Sequence, residues 1–365
     1  MMTVLSAQLD ISTPSVIHGF REPTDLLAAT GKDPLLMELI DTQAFQRLKD
    51  IRFLGAIDYC LIPRPNGKPG AIRYSRYEHS LGVMQLARLY CLRRHIRQSE
   101  RRLLCAAALL HDIGHPPLSH SVESVFREKF GIDHHAASKD IIRGRKPLGK
   151  NVFSILRRYG VDVEELVAVV SGEVLSFDGF FHGPINFDTI EGILRSYRYT
   201  RKTPSASSPD IVTDAAIKRE NEKDKNIVDA FWQCKDWVYK EIINSEDSVL
   251  SDFVCKKFLR KNLGRIKCTS FFGTETKLFQ QLPGLRELLT SRSFKAEVIR
   301  MVDEPVCYVF RNYYIDREGD FFSRQDDVRY RHSRSKRILT LKMKIDSAVK
   351  AVTGSQGVLF YDDAV

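Results

Sequence analysis

The sequence predicts a mostly α fold with a smaller mixed α/β region at its C-terminus. Two observations carry this. From Asp33 to about Thr200, apolar residues recur at helical spacing between caps, breaks and turns. Between about Glu297 and Tyr330, Val, Tyr, Phe and Arg alternate instead, as in Val306-Cys307-Tyr308-Val309-Phe310, which is strand patterning.

The elements follow in order. Asp33 followed by Pro34 is an N-cap with proline at the first helical position. The helical spacing then runs through Phe45 and Leu48 towards Gly55. Ile62 to Gly70 is rich in proline and glycine and reads as a turn or hairpin tip. Ser75 with Glu78 three residues on has the capping-box form, starting a helix that runs to about Ile96. A third helix, Arg101 to Ile113, is stopped by Gly114 and the Pro116-Pro117 pair. Further helical patterns lie near 121–130, 134–143, 150–158 and 163–171, and Asp188 to Tyr197 closes the series. Residues 201–226 are polar, with Ser, Pro, Lys, Glu and Asp, and predict a loop or insertion. Helical patterning returns from Ile227 to about Leu263. The expected organisation is a core over 1–200, the loop over 201–226, and a helical then mixed region over 227–365 that completes the core.

Hydrophobic residues make up 43% and charged residues 28%, ordinary for a soluble globular chain. Lys+Arg 56 against Asp+Glu 46 leaves +10, which favours anionic partners without choosing among them. The longest fully apolar run, Leu103 to Leu110, is far short of the roughly 20 residues that cross a membrane. Met1 to Asp10 lacks a basic start with an apolar core, so no secretory signal is expected. Seven scattered cysteines form neither a disulfide framework nor a zinc ribbon. Secreted, membrane and fibrous classes are excluded on this reading, and a cytoplasmic location is expected.

Histidine is the informative residue. Five of the ten lie between His111 and His135, three of them within His111-Asp112-Ile113-Gly114-His115-Pro116-Pro117-Leu118-Ser119-His120. His111-Asp112 ends a helix that is apolar almost all round, where adjacent polar side chains need partners. A divalent ion satisfies both, and imidazole with carboxylate suits Zn, Fe, Mn, Co or Mg. A His–Asp hydrogen bond that only caps the helix is the alternative for the isolated dipeptide. Upstream, Arg76-Tyr77-Glu78-His79 places a histidine in the first turn of the capped helix. Downstream, Asn186-Phe187-Asp188 opens a helix with an apolar stripe through Ile190, Ile193, Leu194 and Tyr197, where Asp188 alone reads as an N-cap.

Together these residues resemble the HD superfamily of metal-dependent phosphohydrolases, whose order is His, His-Asp, then a distant Asp. The closer resemblance is to the deoxynucleoside-triphosphate triphosphohydrolase branch. It covers roughly residues 15–200, from Ile17-His18-Gly19 through Asp41 to Leu48, Tyr74 to Val83 and His111 to His120. The resemblance implies an HD-domain helical core over 1–200 and a single divalent metal ion (Mn, Fe, Mg, Co or Zn) held by His79, His111, Asp112 and Asp188. It implies that Arg76 contacts substrate phosphate and that His115 faces the phosphates. His120 and Glu123 match the family's His/acid pair, and His134 is a second acid–base candidate. His18, His95, His182 and His332 are expected to be structural or exposed. The implied activity is hydrolysis of nucleotide phosphate esters with release of triphosphate, and the family precedent is a homo-oligomer.

Departures leave the substrate open. Phe53 stands where the family has a sugar-reading glutamine, Thr189 replaces a phosphate-binding lysine, and Gly192 replaces a sugar-packing tyrosine. Ser196 stands where the family has an Asp for the 3′-hydroxyl. Basic segments at Arg93 to Arg102 and at Arg329 to Lys344 are candidate contacts for nucleic acid or a regulatory nucleotide; the second holds seven Lys/Arg and no acid. They support two competing readings: a metal-dependent nuclease, and a non-catalytic nucleotide- or nucleic-acid-binding regulator on the same scaffold.

Overall fold

A computed structural model describes residues 33–60, 74–174, 177–199, 208–291, 294, 298, 305–344 and 358–364. The Ile62 to Gly70 turn, His18 and residues 15–32 of the resemblance lie outside the described residues. The chain is mostly helical, with one small antiparallel sheet near the C-terminus.

The first helix, α1 (Pro34–Asp41), is capped by Asp33, whose Oδ1 accepts from Leu35 N at 3.1 Å. It does not run on to Leu48 as the spacing suggested. Thr42 takes extended backbone angles and caps a new short helix, Gln43–Gln46, by accepting from Phe45 N. A 3-10 turn, Arg47–Asp50, follows. The apolar spacing persists across this break because both pieces face the same core.

Two buried helices form the centre. In α2 (Arg76–Arg93) the Ser75/Glu78 capping box is present, with Glu78 Oε2 accepting from Ser75 N at 2.6 Å. Burial is continuous from His79 to Ala87, so this helix presents no solvent face over that stretch. In α3 (Gln98–Leu110) every residue from Leu103 to Leu110 is buried, and α3 packs on α2. The helices α4 (His120–Phe130), α5 (His134–Ile142), α6 (Lys150–Arg158) and α7 (Val163–Ser171) sit where the sequence placed them. Gly114 lets the turn after α3 lie against α5: a Cβ there would stand 2.3 Å from Ser138 N and 2.4 Å from His134 O.

α8 (Phe187–Arg198) packs on α2 and closes the core from the other side. The expected loop over 201–226 is corrected by the structure beyond residue 207. Pro209–Lys218 forms α9, with Pro209 at its first position and Val212, Ala215, Ala216 and Ile217 buried, and α10 (Glu222–Val238) begins under an Asn221 cap. The polar residues that suggested a loop belong largely to the solvent faces of two helices. Residues 200–207 lie outside the described residues.

Helices α11 (Glu246–Lys261), α12 (Glu275–Gln281) and α13 (Pro283–Thr290) pack with α4 around a second apolar cluster that includes Leu118, Phe126, Val254 and Leu285. The strands are β1 (Val306–Ile315), β2 (Tyr330–Lys344) and β3 (Val358–Ala364), in that order and antiparallel. The alternation from Val306 is a strand as expected; β3 was not anticipated. The ribbon is anchored to α10, where Trp232 Nε1 donates to Tyr314 O at 3.0 Å and Asp236 Oδ1 accepts from Tyr313 N at 2.8 Å.

Candidate metal centre and substrate cleft

Four side chains that the sequence singled out converge where α2, the end of α3 and the start of α8 meet. His79 Nε2 lies 3.0 Å from Asp188 Oδ1 and 3.6 Å from Asp112 Oδ2. His111 Nε2 lies 3.5 Å from Asp112 Oδ2 and 3.8 Å from Asp188 Oδ1. Asp188 does not cap its helix: Asn186 does, accepting from Thr189 N at 2.7 Å, so the Asp188 carboxylate is left for the cleft. His111 is the C-cap residue of α3, and its Nδ1 donates to Ala108 O at 2.8 Å. That bond fixes the tautomer and leaves His111 Nε2 as a buried nitrogen with no hydrogen-bond partner, aimed at the two carboxylates. An orphaned lone pair beside two carboxylates and a second imidazole is a donor set that fits a divalent ion.

The electrostatics agree. Burial alone would lower the His111 pKa, but Asp112 and Asp188 override it and raise it to about 9. Burial pushes the Asp112 carboxyl up, yet His111, His115 and Arg76 hold it well below the usual carboxylate range. The cluster therefore demands a cation and retains a proton on His111 in its place.

Behind the ligands stands a set of residues that sequence reasoning did not single out. Glu191 Oε2 lies 2.5 Å from His79 Nδ1, and Arg195 Nε donates to the same carboxylate at 2.8 Å. All three side chains are buried. Carboxylates in this position fix the imidazole's tautomer and raise its basicity. The signal was legible only as spacing: Asp188, Glu191 and Arg195 fall three and four apart on one helix. Gly82 makes room for Glu191, since a Cβ there would meet Glu191 Oε1 at 2.4 Å. Arg47, also buried, clamps the turn after α3 through Ile113 O at 2.7 Å and His115 O at 2.9 Å.

The acid–base candidates form a second group. His115 Nε2 is 3.2 Å from Asp112 Oδ1, and its ring stacks on His134 with centroids 4.2 Å apart. Glu123 binds both other histidines, His134 Nδ1 at 2.7 Å and His120 Nδ1 at 3.0 Å. Desolvation raises the Glu123 carboxyl, but His120 and His134 outweigh it and keep it ionised. An ionised Glu123 is acceptor-only, so both histidines donate Nδ1–H and keep a basic Nε2. Burial, reinforced by Arg76, holds His115 well below its usual range and neutral. Nitrogens of His115, His120 and His134 also lie within 4.8 Å of one another. This second set lacks the carboxylates of the first, so the first is the stronger cation site.

Arg76 donates from Nη1 to Asp112 Oδ2 at 2.6 Å and from Nε to Ser119 Oγ at 3.0 Å, with its guanidinium over the Phe53 ring. It is thus held at the metal ligands rather than solvated. The positioning turn is strained: Leu118 and Ser119 take positive φ of 62° and 49°. Two departures prove to be neighbours. Phe53 Cζ lies 3.3 Å from where a Gly192 Cβ would stand, and the Phe53 ring packs on His79 with centroids 4.7 Å apart. The aromatic surface beside the metal ligands comes from residue 53, and residue 192 is small to admit it. Thr189 and Ser196 also line the cleft, a cavity of about 560 Å³ that takes in Arg76, His111, Asp112 and Asp188.

Glu275, from α12, ties the cleft's loops together. Its Oε1 accepts from Arg52 N at 2.7 Å and Leu118 N at 3.1 Å, and its Oε2 from the Tyr59 hydroxyl at 2.5 Å. Burial pushes its pKa up to about 7. The unfolded value is near 4.3, so between roughly pH 4.5 and 7 the native state holds a proton that the unfolded chain has lost. Stability therefore falls as pH rises through that window, by on the order of 1–3 kcal/mol. Glu275→Gln removes this term, and thermal melts from pH 5 to 8 are expected to show a flatter profile than the parent's.

Comparison with known proteins follows this geometry. The HD domain family matches residues 76–170. The uncharacterized protein YwfO of Bacillus subtilis is 37% identical over 142 residues, covering 38% of this chain and 30% of that one. The deoxynucleoside triphosphate triphosphohydrolase SAMHD1 of Gallus gallus is 34% identical over 154 residues, covering 39% of this chain and 23% of that one. The matches span less than a third of these relatives' length. Among solved structures, a hypothetical protein from Aquifex aeolicus shares the fold with a TM-score of 0.59 at 18% identity, over 79% of this chain and 88% of that one. Among the described residues, no helix is long and apolar enough to cross a membrane.

Proposed function

The chain carries an HD domain over residues 76–170, and on that premise we propose that it is a metal-dependent phosphohydrolase acting on nucleotide phosphate esters, with a deoxynucleoside triphosphate as the favoured substrate. The observation that carries this reading is the convergence of His79 Nε2, His111 Nε2, Asp112 Oδ2 and Asp188 Oδ1, with His111 Nε2 buried and unpartnered. A divalent ion held there supplies a Lewis acid for the phosphoryl group and lowers the pKa of bound water.

The chain's own residues supply the rest. Arg76, locked by Asp112 and Ser119, brings a fixed guanidinium to the edge of the ligand set, where its fork suits phosphate oxygens. His134 and His120 present basic Nε2 atoms because Glu123 holds their Nδ1 protons, so either can take a proton from water or return one to the leaving oxygen. Neutral His115 borders both groups and is placed to pass a proton between them. Phe53 offers a flat apolar surface beside the reacting phosphate.

The similarity to triphosphohydrolases supports the triphosphate, while Phe53, Thr189, Gly192 and Ser196 govern which base and sugar are accepted. The homo-oligomer and the cytoplasmic location belong to the same proposal. A phosphate-release panel of deoxy- and ribonucleotides with Mn, Mg, Fe and Co tests it. Triphosphate release from deoxynucleotides at least ten times faster than from an oligonucleotide of equal phosphate content is the expected outcome. Preferential cleavage of a short single strand would instead establish the nuclease reading, which the exposed cationic residues of β2 favour. Nucleotide binding without phosphate release under any of these metals would establish the regulator.

A further inference from the structure

The cavity that holds the metal ligands extends to α10, where Lys235 and Tyr239 line it. Lys235 is 8% exposed. Its Nζ sits 4.3 Å over the Trp232 ring and 4.7 Å over the Tyr313 ring, and reaches Pro184 O only at 3.5 Å. It makes no ion pair among the described residues. A buried ammonium held by ring faces and one long carbonyl contact is under-satisfied.

The ribbon adds more positive charge at this rim. Arg311 of β1 and Arg334 of β2 are direct cross-strand partners, so their side chains leave the same face of the sheet. Like charges directly opposite one another destabilise a sheet. That same face carries Tyr313 opposite His332, and Tyr313 is the ring under Lys235. Arg311 Nη1 donates to the Tyr239 hydroxyl at 3.3 Å, which ties the pair to a residue of the cavity lining. Neither arginine makes an ion pair among the described residues. Partial burial and the charges of Arg334, Lys235 and Arg311 together hold the His332 imidazole below its usual range, so the four groups feel one another. The acids nearby are committed elsewhere: Asp236 accepts from Tyr313 N and pairs with Lys240 at 2.8 Å, and Asp188 belongs to the ligand cluster across the cavity.

We infer that Lys235, Arg311 and Arg334 form a second anion subsite at the cavity rim, which receives the distal phosphates of a polyphosphate-bearing substrate whose reacting phosphate lies at the His79–His111–Asp112–Asp188 cluster. This rests on the phosphohydrolase reading of the same cavity and adds where the far end of the substrate binds. The subsite is assembled from α10 and the C-terminal ribbon, well outside the 76–170 segment. A phosphate chain neutralises a like-charge cluster that the fold otherwise leaves uncompensated.

The test is calorimetric binding of inorganic tripolyphosphate and of orthophosphate to the full chain, with Mn present in both arms. Lys235→Gln and Arg334→Gln are each expected to weaken tripolyphosphate binding by about tenfold, as loss of a charged hydrogen bond does, and to lower the ratio of tripolyphosphate to orthophosphate affinity. Arg334 is exposed, so its variant is expected to melt with the parent even where Lys235→Gln does not fold. An unchanged ratio in Arg334→Gln and in Arg311→Gln overturns the subsite. Because binding is read without turnover, a chain that shows the expected losses yet hydrolyses no nucleotide upholds the subsite and overturns the hydrolase reading.

Discussion

Asp112→Ala is expected to strip the bound metal and to lower phosphate release by at least three orders of magnitude. Two oxygens of this one carboxylate serve three partners. Oδ2 faces His79 and His111 and accepts from Arg76 at 2.6 Å, while Oδ1 lies 3.2 Å from His115. Removing it takes away a metal ligand, unanchors the phosphate-facing arginine and frees His115. It also leaves Arg76, 5% exposed, with an unpaired guanidinium, and breaking a buried pair from one side costs about 3–5 kcal/mol. Metal content by mass spectrometry, a melting curve and phosphate release are therefore expected to fall together. Asp112→Asn keeps the shape but not the charge and is expected to restore stability more than metal content. Activity that survives while the metal is lost would separate the two and refute the shared role.

Glu191→Ala is the second large effect, and it arises behind the ligands. His79 loses the acceptor for Nδ1, so its Nε2 is no longer fixed towards the ion; removing such a partner lowers metal affinity by about 10- to 100-fold. Arg195 loses its carboxylate while 3% exposed and keeps only Glu78 O at 3.1 Å. A destabilisation of about 3–5 kcal/mol is expected from that uncompensated cation. Glu191→Gln still accepts from one partner and is expected to recover part of the metal affinity. Titration of the apo protein with Mn, followed beside a thermal melt, reads both quantities. Metal affinity equal to the parent's in Glu191→Ala would show that His79 needs no such support.

The metal cluster was legible in the sequence because its parts obey local rules. The Ser75/Glu78 box starts the helix that carries His79, the apolar run from Leu103 ends at His111-Asp112, and the Asn186 cap frees Asp188. The acid–base group was legible through histidine density. What sits behind them was not, because it depends on packing between distant segments. Glu191 reaches His79 across 112 residues, Arg47 reaches His115 across 68, and Glu275 reaches Leu118 across 157. No periodicity encodes such pairings. The 201–226 segment misled for another reason: its polar residues describe the solvent side of α9 and the start of α10, and four buried apolar side chains suffice to fold the first of these. The continuous helix expected from Pro34 to Leu48 failed because Thr42 caps locally while the apolar spacing runs on. The +10 charge was a diffuse pointer to anions; part of it is placed by Arg76 at the ligand cluster, and part by Lys235, Arg311 and Arg334 at the rim.

The central claim, that phosphate release depends on an ion held by His79, His111, Asp112 and Asp188, is tested most directly by metal reconstitution of the purified chain. Chelator-treated protein is expected to be folded and inactive, and titration with Mn to restore phosphate release in proportion up to one ion per chain, with no restoration in a His111→Ala/Asp112→Ala variant. Full phosphate release from the metal-free protein, or from that variant, would contradict the account.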